Sequence, residues 1–289
     1  MTTTAQKTLN IAVIGAGTMG NGIAQTFASF GHKVALVEVE AAPLQRGMQN
    51  IRGSLDRFVK KATLTEQQAG EILGRITPST DLAAALTGAD LVIEAVFENE
   101  GVKKEVFRKV DAAAPAGAIL ASNTSSIPIT RLAAVTGRPD KVIGMHFMNP
   151  VPLMKLVEVI RGERTSEETL RTTVAVAEGL GKTVGVSRDY PGFIANRILM
   201  PMINEAAFAL YEGVATREDI DTIMKLGMNH PMGPLTLADF IGIDVIVEIL
   251  DVLHAGFGDP KFRACPLLRK MVEAGKLGRK SGEGFYAYA

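Results

Sequence analysis

An apolar run that passes directly into spaced glycines restricts this chain more than any other feature. It reads Leu9-Asn10-Ile11-Ala12-Val13-Ile14, then Gly15-Ala16-Gly17-Thr18-Met19-Gly20. A strand-length segment enters a turn, and a helix-like segment over 19–30 leaves it. In that setting Gly15 permits the tight turn, Gly17 lets the backbone approach a pyrophosphate, and Gly20 lets helix and strand pack closely. The amides and dipole of that helix favour phosphate charge, which makes Thr18 and Met19 cofactor-binding candidates beside the glycines. A second apolar run over 34–37 ends at Glu38, near the distance at which an acid meets a ribose. A carboxylate there accepts from the 2′-hydroxyl and repels a 2′-phosphate, which favours NAD over NADP. The alternative is a glycine turn in some other α/β unit.

At 289 residues the chain accommodates one large domain or two ordinary ones. Strands read at 91–93, 118–121, 142–145, 155–160 and 183–186. Helices read at 42–61, 65–73, 102–113 and 167–180, with Thr65 and Gln68 spaced as a capping box. Alternating strands and helices predict an α/β, doubly wound, mostly parallel sheet of Rossmann-like type. The pattern changes at Asp189-Tyr190-Pro191-Gly192. Beyond it only helix-length segments are found, at 193–212, 217–226, 244–254 and 266–274. The expected division is therefore 1–188 for the nucleotide-binding domain and 189–289 for a second, all-helical domain.

Lys+Arg and Asp+Glu both number 31, so no global field recruits nucleic acid or an anionic membrane. A local basic patch for a phosphorylated ligand stays open. Cys265 is the one cysteine, which excludes a disulfide framework and a cysteine-built zinc site; no metal is expected. No apolar stretch has membrane-spanning length, and residues 1–8 lack the apolar core of a signal peptide and read as a frayed tail. The default expectation is a reducing cytoplasm.

Three segments carry polar residues at positions of interest. Ser122-Asn123-Thr124-Ser125-Ser126 follows a strand end, where ligands gather in open α/β sheets; a polar turn capping the next helix is the alternative. His146 lies at the end of the strand over 142–145, and a neutral imidazole is the usual proton acceptor near pH 7. A histidine between apolar residues is more often a core side chain. Glu158 alters that balance as the only acid in Leu156-Val157-Glu158-Val159-Ile160, because a buried carboxylate requires a partner. His146 is the economical partner, its ring oriented and its charged form stabilised. The third segment, Pro191 to Arg197, places Asn196 at a helix start, where its amide can donate to a carbonyl oxygen or simply lie on the surface. His32, after a helix-ending glycine, reads as superficial. Lys103 by residue type reads as a solvated helix charge.

Taken together, these segments closely resemble the 3-hydroxyacyl-CoA dehydrogenases. The resemblance spans nearly the whole chain, adding Glu94-Ala95-Val96-Phe97-Glu98, His146-Phe147-Met148-Asn149-Pro150, Pro231-Met232-Gly233-Pro234 and the run from Gly278 to Tyr286. It implies NAD as cofactor, an acyl-CoA substrate, and interconversion of a short-chain (S)-3-hydroxyacyl-CoA with its 3-oxoacyl-CoA. It also implies a homodimer through the helical domain. By motif, His146 resembles the catalytic base and Glu158 its orienting acid, while Ser125 and Asn196 resemble residues that hold the substrate's reacting oxygens. Glu98, Lys103, Asn123, Ser125 and Asn149 resemble cofactor-lining residues. The resemblance places coenzyme A near Arg57, Lys60 and Lys61, so Lys60 and Lys61 are candidates for its phosphates, although a solvated helix face would look the same. Glu100-Gly101 departs from the family pattern and weakens the local helix by up to about 1 kcal/mol. Two other readings remain: a dehydrogenase of a free 3-hydroxy acid, and a nucleotide-binding protein without turnover. The first fits the His146 and Glu158 pattern poorly, because such enzymes centre on a lysine.

Overall fold

The computed structural model describes residues 8–288. The tail expected at 1–8 lies outside the described residues except for Thr8. The chain divides into two compact units, one ending at Asp189 and the other beginning at Tyr190.

The first unit alternates strand and helix. Its elements are β1 (Asn10–Ile14), α1 (Thr18–Ser29), β2 (Lys33–Val37), α2 (Ala41–Lys60), α3 (Glu66–Gly74), β3 (Ile76–Ser79), α4 (Leu82–Leu86) and β4 (Leu91–Glu94). Then come α5 (Glu100–Ala113), β5 (Ile119–Ser122), α6 (Ile129–Ala133), β6 (Val142–Phe147), β7 (Leu156–Arg161), α7 (Glu167–Gly179) and β8 (Thr183–Arg188). The eight strands form one sheet in the order β3-β2-β1-β4-β5-β6-β7-β8. Every pairing is parallel except β6 with β7. Helices cover both faces of the central strands, so each residue of β4 and β6 is buried. One face packs Ile11, Val13, Leu36, Ile93 and Met145 against Ile23, Phe27 and Ile51 of α1 and α2. The capping box at Thr65 and Gln68 is present at the start of α3.

Three local departures from the sequence reading have physical causes. β3 was not expected, because Pro78 disrupts its short run. Proline is tolerated at a sheet edge, and β3 pairs only with β2. The short helices α4 and α6 carry too few apolar positions to show a period; Asp81 caps α4 by accepting from the Ala84 N–H at 3.1 Å. His32 is not superficial but 1% exposed, its Nδ1 accepting from the Leu9 N–H at 3.2 Å beside the Phe27 ring. Burial lowers its pKa.

The second unit contains α8 (Ala195–Tyr211), α9 (Arg217–Thr222), α10 (Pro234–Ile241), α11 (Ile243–Phe257) and α12 (Pro266–Glu273). Among the described residues its only β pairing is two isolated bridges near the end of the chain. Ile203, Ala207, Leu235, Ile246, Leu250 and Leu268 form its core at zero exposure. Helix α10 was not read from the sequence. Its N-terminal amides are satisfied by a distant residue, Asp221, which accepts from the N–H groups of Leu235 and Thr236 at 2.8 and 2.9 Å. A second buried acid, Asp239, accepts from the N–H groups of Phe285 and Tyr286 and from the Tyr288 hydroxyl. A Cβ on Gly284 would lie 2.0 Å from Asp239 Oδ1, which accounts for glycine in that motif. The Tyr286 hydroxyl donates to Asp221 at 3.0 Å; burial, then the neighbouring Asp221 charge, pushes its pKa well up.

Candidate active site

The glycine turn joins β1 to α1. Gly15 has φ +105°, and a Cβ there would stand 2.5 Å from the Ala95 carbonyl oxygen. At Gly20 a Cβ would lie 1.8 Å from the Gly15 carbonyl oxygen, so strand and helix meet backbone to backbone. Gly17 is the reverse case: it is exposed, and nothing lies within 4 Å of where its Cβ would be. No side chain caps the first turn of α1, which leaves its amides directed at that open surface. Thr18 is exposed there, while Met19 packs against the core. Glu38 closes the far side: its Oε2 accepts from the Ala16 N–H at 3.0 Å and its Oε1 from the Val39 N–H at 2.8 Å. An open glycine face, uncapped helix amides and a carboxylate beside the turn fit a dinucleotide with a free 2′-hydroxyl.

At the carboxyl ends of β4 and β5 the structure assembles a charged cluster. Glu98, half-exposed, accepts through Oε1 from the Thr124 hydroxyl at 2.6 Å, the Ser125 N–H at 3.0 Å and the Ser126 hydroxyl at 3.2 Å. Burial alone would raise its pKa. The Lys103 ammonium, the Thr124 hydroxyl and the Ser125 amide together outweigh burial and hold the carboxyl below its ordinary value. Lys103 is not a solvated charge: it is 1% exposed and paired with Glu94 at 2.6 Å and Glu98 at 3.2 Å. Asn123 is buried, and its Oδ1 accepts from the Phe147 N–H at 2.9 Å, tying the β5 end to β6.

Strand β6 delivers His146. In the antiparallel register of β6 with β7, His146 stands directly opposite Glu158, and Nδ1 lies 3.1 Å from Oε2. The side chains are 11% and 5% exposed. An ionised carboxylate only accepts, so the ring proton sits on Nδ1 and Nε2 is the basic nitrogen. Asn149 is exposed just past β6. It borders a hollow of about 300 Å³ also lined by Asn21, Gln49, Ser54, Arg57 and Pro152. Lys60 and Lys61 close α2 and are exposed. In the other unit, Asn196 is buried in the first turn of α8, its N–H donating to the Gly192 carbonyl at 3.1 Å.

The sequence reading missed Glu94. The strand expected at 91–93 extends one residue further, so that Glu94 is the last residue of β4 and 1% exposed. A lysine nine positions later was the available signal, but strand-to-helix pairing through a loop has no fixed spacing.

A glycine turn guarded by an acid and a carboxylate-backed imidazole on the same sheet occur together in NAD-dependent dehydrogenases, and that is the class the first unit defines. Comparison with known proteins narrows it. Residues 10–190 match the 3-hydroxyacyl-CoA dehydrogenase NAD binding domain, and residues 192–288 match the C-terminal domain of 3-hydroxyacyl-CoA dehydrogenase. The chain belongs to the 3-hydroxyacyl-CoA dehydrogenase family. It is 56% identical over 278 residues to a probable 3-hydroxybutyryl-CoA dehydrogenase of Bacillus subtilis, covering 96% of each chain. It is 54% identical to the 3-hydroxybutyryl-CoA dehydrogenase of Bradyrhizobium diazoefficiens, covering 96% of this chain and 94% of that one. The crystal structure of (S)-3-hydroxybutyryl-CoA dehydrogenase from Ralstonia eutropha superposes with a TM-score of 0.95 at 49% identity, covering 98% of this chain and all of that one.

Proposed function

We propose that the protein interconverts (S)-3-hydroxybutyryl-CoA and acetoacetyl-CoA with NAD, His146 moving the proton and Glu158 supporting it. The observation that carries this reading is the 3.1 Å His146–Glu158 contact on a sheet whose glycine turn fits the dinucleotide. Bound NAD supplies the hydride acceptor. In the oxidation direction His146 Nε2 takes the proton of the 3-hydroxyl, and the Glu158 carboxylate stabilises the imidazolium that forms. In reduction the imidazolium returns that proton to the oxygen. Ser125 and Asn196 are assigned to the substrate's reacting oxygens, donating where charge develops. The turn from Gly15 to Gly20 receives the pyrophosphate, Gly15 and Gly20 shaping it by close packing while Gly17, Thr18 and Met19 offer backbone at the open face. Glu38 holds the ribose, and Glu98, Asn123 and Asn149 the remainder of the cofactor. Lys60 and Lys61 face the phosphates of coenzyme A.

In this reading residues 1–188 bind the cofactor, and 189–289 form a dimerisation and substrate domain. Ile223, Leu226 and Met228, all exposed on the second unit, support a homodimer, which a light-scattering mass of twice the chain checks. Among the described residues no helix is long and apolar enough to cross a membrane; a cytoplasmic setting accords with a buried, unpaired Cys265. The deciding experiment is steady-state turnover with acetoacetyl-CoA, longer 3-oxoacyl-CoAs and free 3-oxo acids, using NADH and NADPH. Preference for acetoacetyl-CoA with NADH is expected. Turnover of free acids alone, or NADH binding without turnover, refutes the proposal.

A further inference from the structure

β4 would be uniformly apolar but for its last residue, Glu94. The carboxylate of Glu94 is engaged at both oxygens: Oε1 accepts from the Val96 N–H at 2.7 Å and from Lys103 Nζ at 2.6 Å, and Oε2 from the Ser122 hydroxyl at 2.6 Å. Lys103 Nζ contacts Glu94 Oε1, Glu98 Oε2 at 3.2 Å and the Val96 carbonyl at 3.2 Å. An ammonium has three donors and no acceptor, so these contacts use every donor Lys103 has. Its effect on a ligand must pass through Glu98, whose other oxygen gathers the 124–126 segment. The same strand end backs the glycine turn, because the Ala95 N–H donates to the Ile14 carbonyl at 2.8 Å and the Ala95 oxygen fills the place of a Gly15 Cβ.

We propose that Glu94 and Lys103 are positioning residues: Glu94 anchors the ammonium, the ammonium aims the Glu98 carboxylate, and Glu98 sets the 124–126 segment against the cofactor. This changes Lys103 from a cofactor contact, as the resemblance has it, to a support. A buried ion pair stabilises a fold little better than apolar side chains of the same volume, so orientation is the stronger reason for its presence. The cofactor part of the proposal rests on the NAD reading above.

The test compares the full-length protein with Glu94→Gln and with Glu94→Gln/Lys103→Met. Three quantities are read: the NADH Kd by fluorescence titration, hydrogen exchange of the Ser125 amide without cofactor, and melting temperature. Glu94→Gln leaves the ammonium with one carboxylate, so NADH Kd and Ser125 exchange should each rise about tenfold or more, the loss of one charged hydrogen bond. The double variant removes the unbalanced charge and should recover most of the melting temperature while Kd and Ser125 exchange stay raised. A double variant that recovers NADH affinity along with melting temperature overturns the proposal, because the pair is then purely structural. An NADH Kd for Glu94→Gln within about twofold of the parent also overturns it. If Glu94→Gln does not fold, the double variant decides by the same criteria. A parent protein that binds no NADH refutes the NAD reading instead, and Ser125 exchange still decides the positioning.

Discussion

Replacing Glu158 by Gln isolates the charge of the proposed proton-transfer pair. The amide keeps the length of the side chain and an oxygen able to accept from Nδ1, so the geometry of β6 against β7 is retained. What disappears is a negative charge 3.1 Å from the ring, between side chains only 11% and 5% exposed. At an effective dielectric of about 20, two unit charges at that distance attract by ~5 kcal/mol. The attraction operates only when the ring carries its second proton, the state reached as the 3-hydroxyl proton arrives. It therefore lowers the barrier rather than tightening ground-state binding.

Part of that energy returns through the amide dipole, leaving a barrier raised by ~3 kcal/mol, or about two orders of magnitude in kcat. The assay is NAD reduction with (S)-3-hydroxybutyryl-CoA, the direction in which the imidazolium forms, run with unlabelled substrate and with substrate deuterated at C3. kcat should fall by about a hundredfold with both KM values little changed. The deuterium effect should rise toward its intrinsic value as chemistry becomes slower than product release. A Glu158→Gln enzyme with kcat within about threefold of the parent and an isotope effect that does not rise refutes the argument.

Glu38→Arg removes the carboxylate that accepts from the Ala16 amide; the NAD-to-NADP ratio of kcat/KM should drop by about tenfold or more, whereas equal use of both cofactors by the parent shows that Glu38 does not discriminate. Lys60→Ala with Lys61→Ala should raise the acetoacetyl-CoA KM and leave kcat unchanged; an unchanged KM removes both from the CoA site. Gly20→Ala forces a Cβ to within 1.8 Å of the Gly15 carbonyl oxygen, so a loss above ~3 kcal/mol is expected, and a melting temperature within about 2 °C of the parent contradicts the packing described. Burial depresses the His32 pKa below its ordinary 6.5. Its contribution to stability is therefore complete above 6.5 and is lost as pH falls from there toward the depressed value. His32→Asn keeps an acceptor for the Leu9 amide and should lessen that acid sensitivity in melting curves; parallel curves for the two proteins refute it.

How much of this could be read beforehand follows from which features are local. The glycine turn, its flanking strands and Glu38 lie within thirty residues and obey fixed spacings, so their placement was legible. His32 was not: what buries it is the Phe27 ring and the start of β1, and a glycine before it suggests the opposite. α10 was hidden because the group satisfying its first amides is Asp221, thirteen residues before the helix begins. The pairing of Lys103 with Glu94 depends on the loop over 95–99, which no periodicity describes.

The His146–Glu158 pair lies between these cases, and the reason is strand direction. Side-chain alternation tells which residues of β6 and β7 share a face, but not which residue faces which. A two-residue shift in pairing keeps every apolar residue buried and moves Glu158 off His146. What favours the observed register is the cost of burying a carboxylate without a partner. His146 is the fifth residue of β6, near its carboxyl end, and Glu158 is the third of β7, near its start. Had β7 continued parallel like the strands before it, its early residues would lie at the opposite edge of the sheet. The single antiparallel pairing brings an acid from the beginning of one strand to the edge where β1, β4 and β5 end, and so places charge behind an imidazole through backbone hydrogen bonds alone.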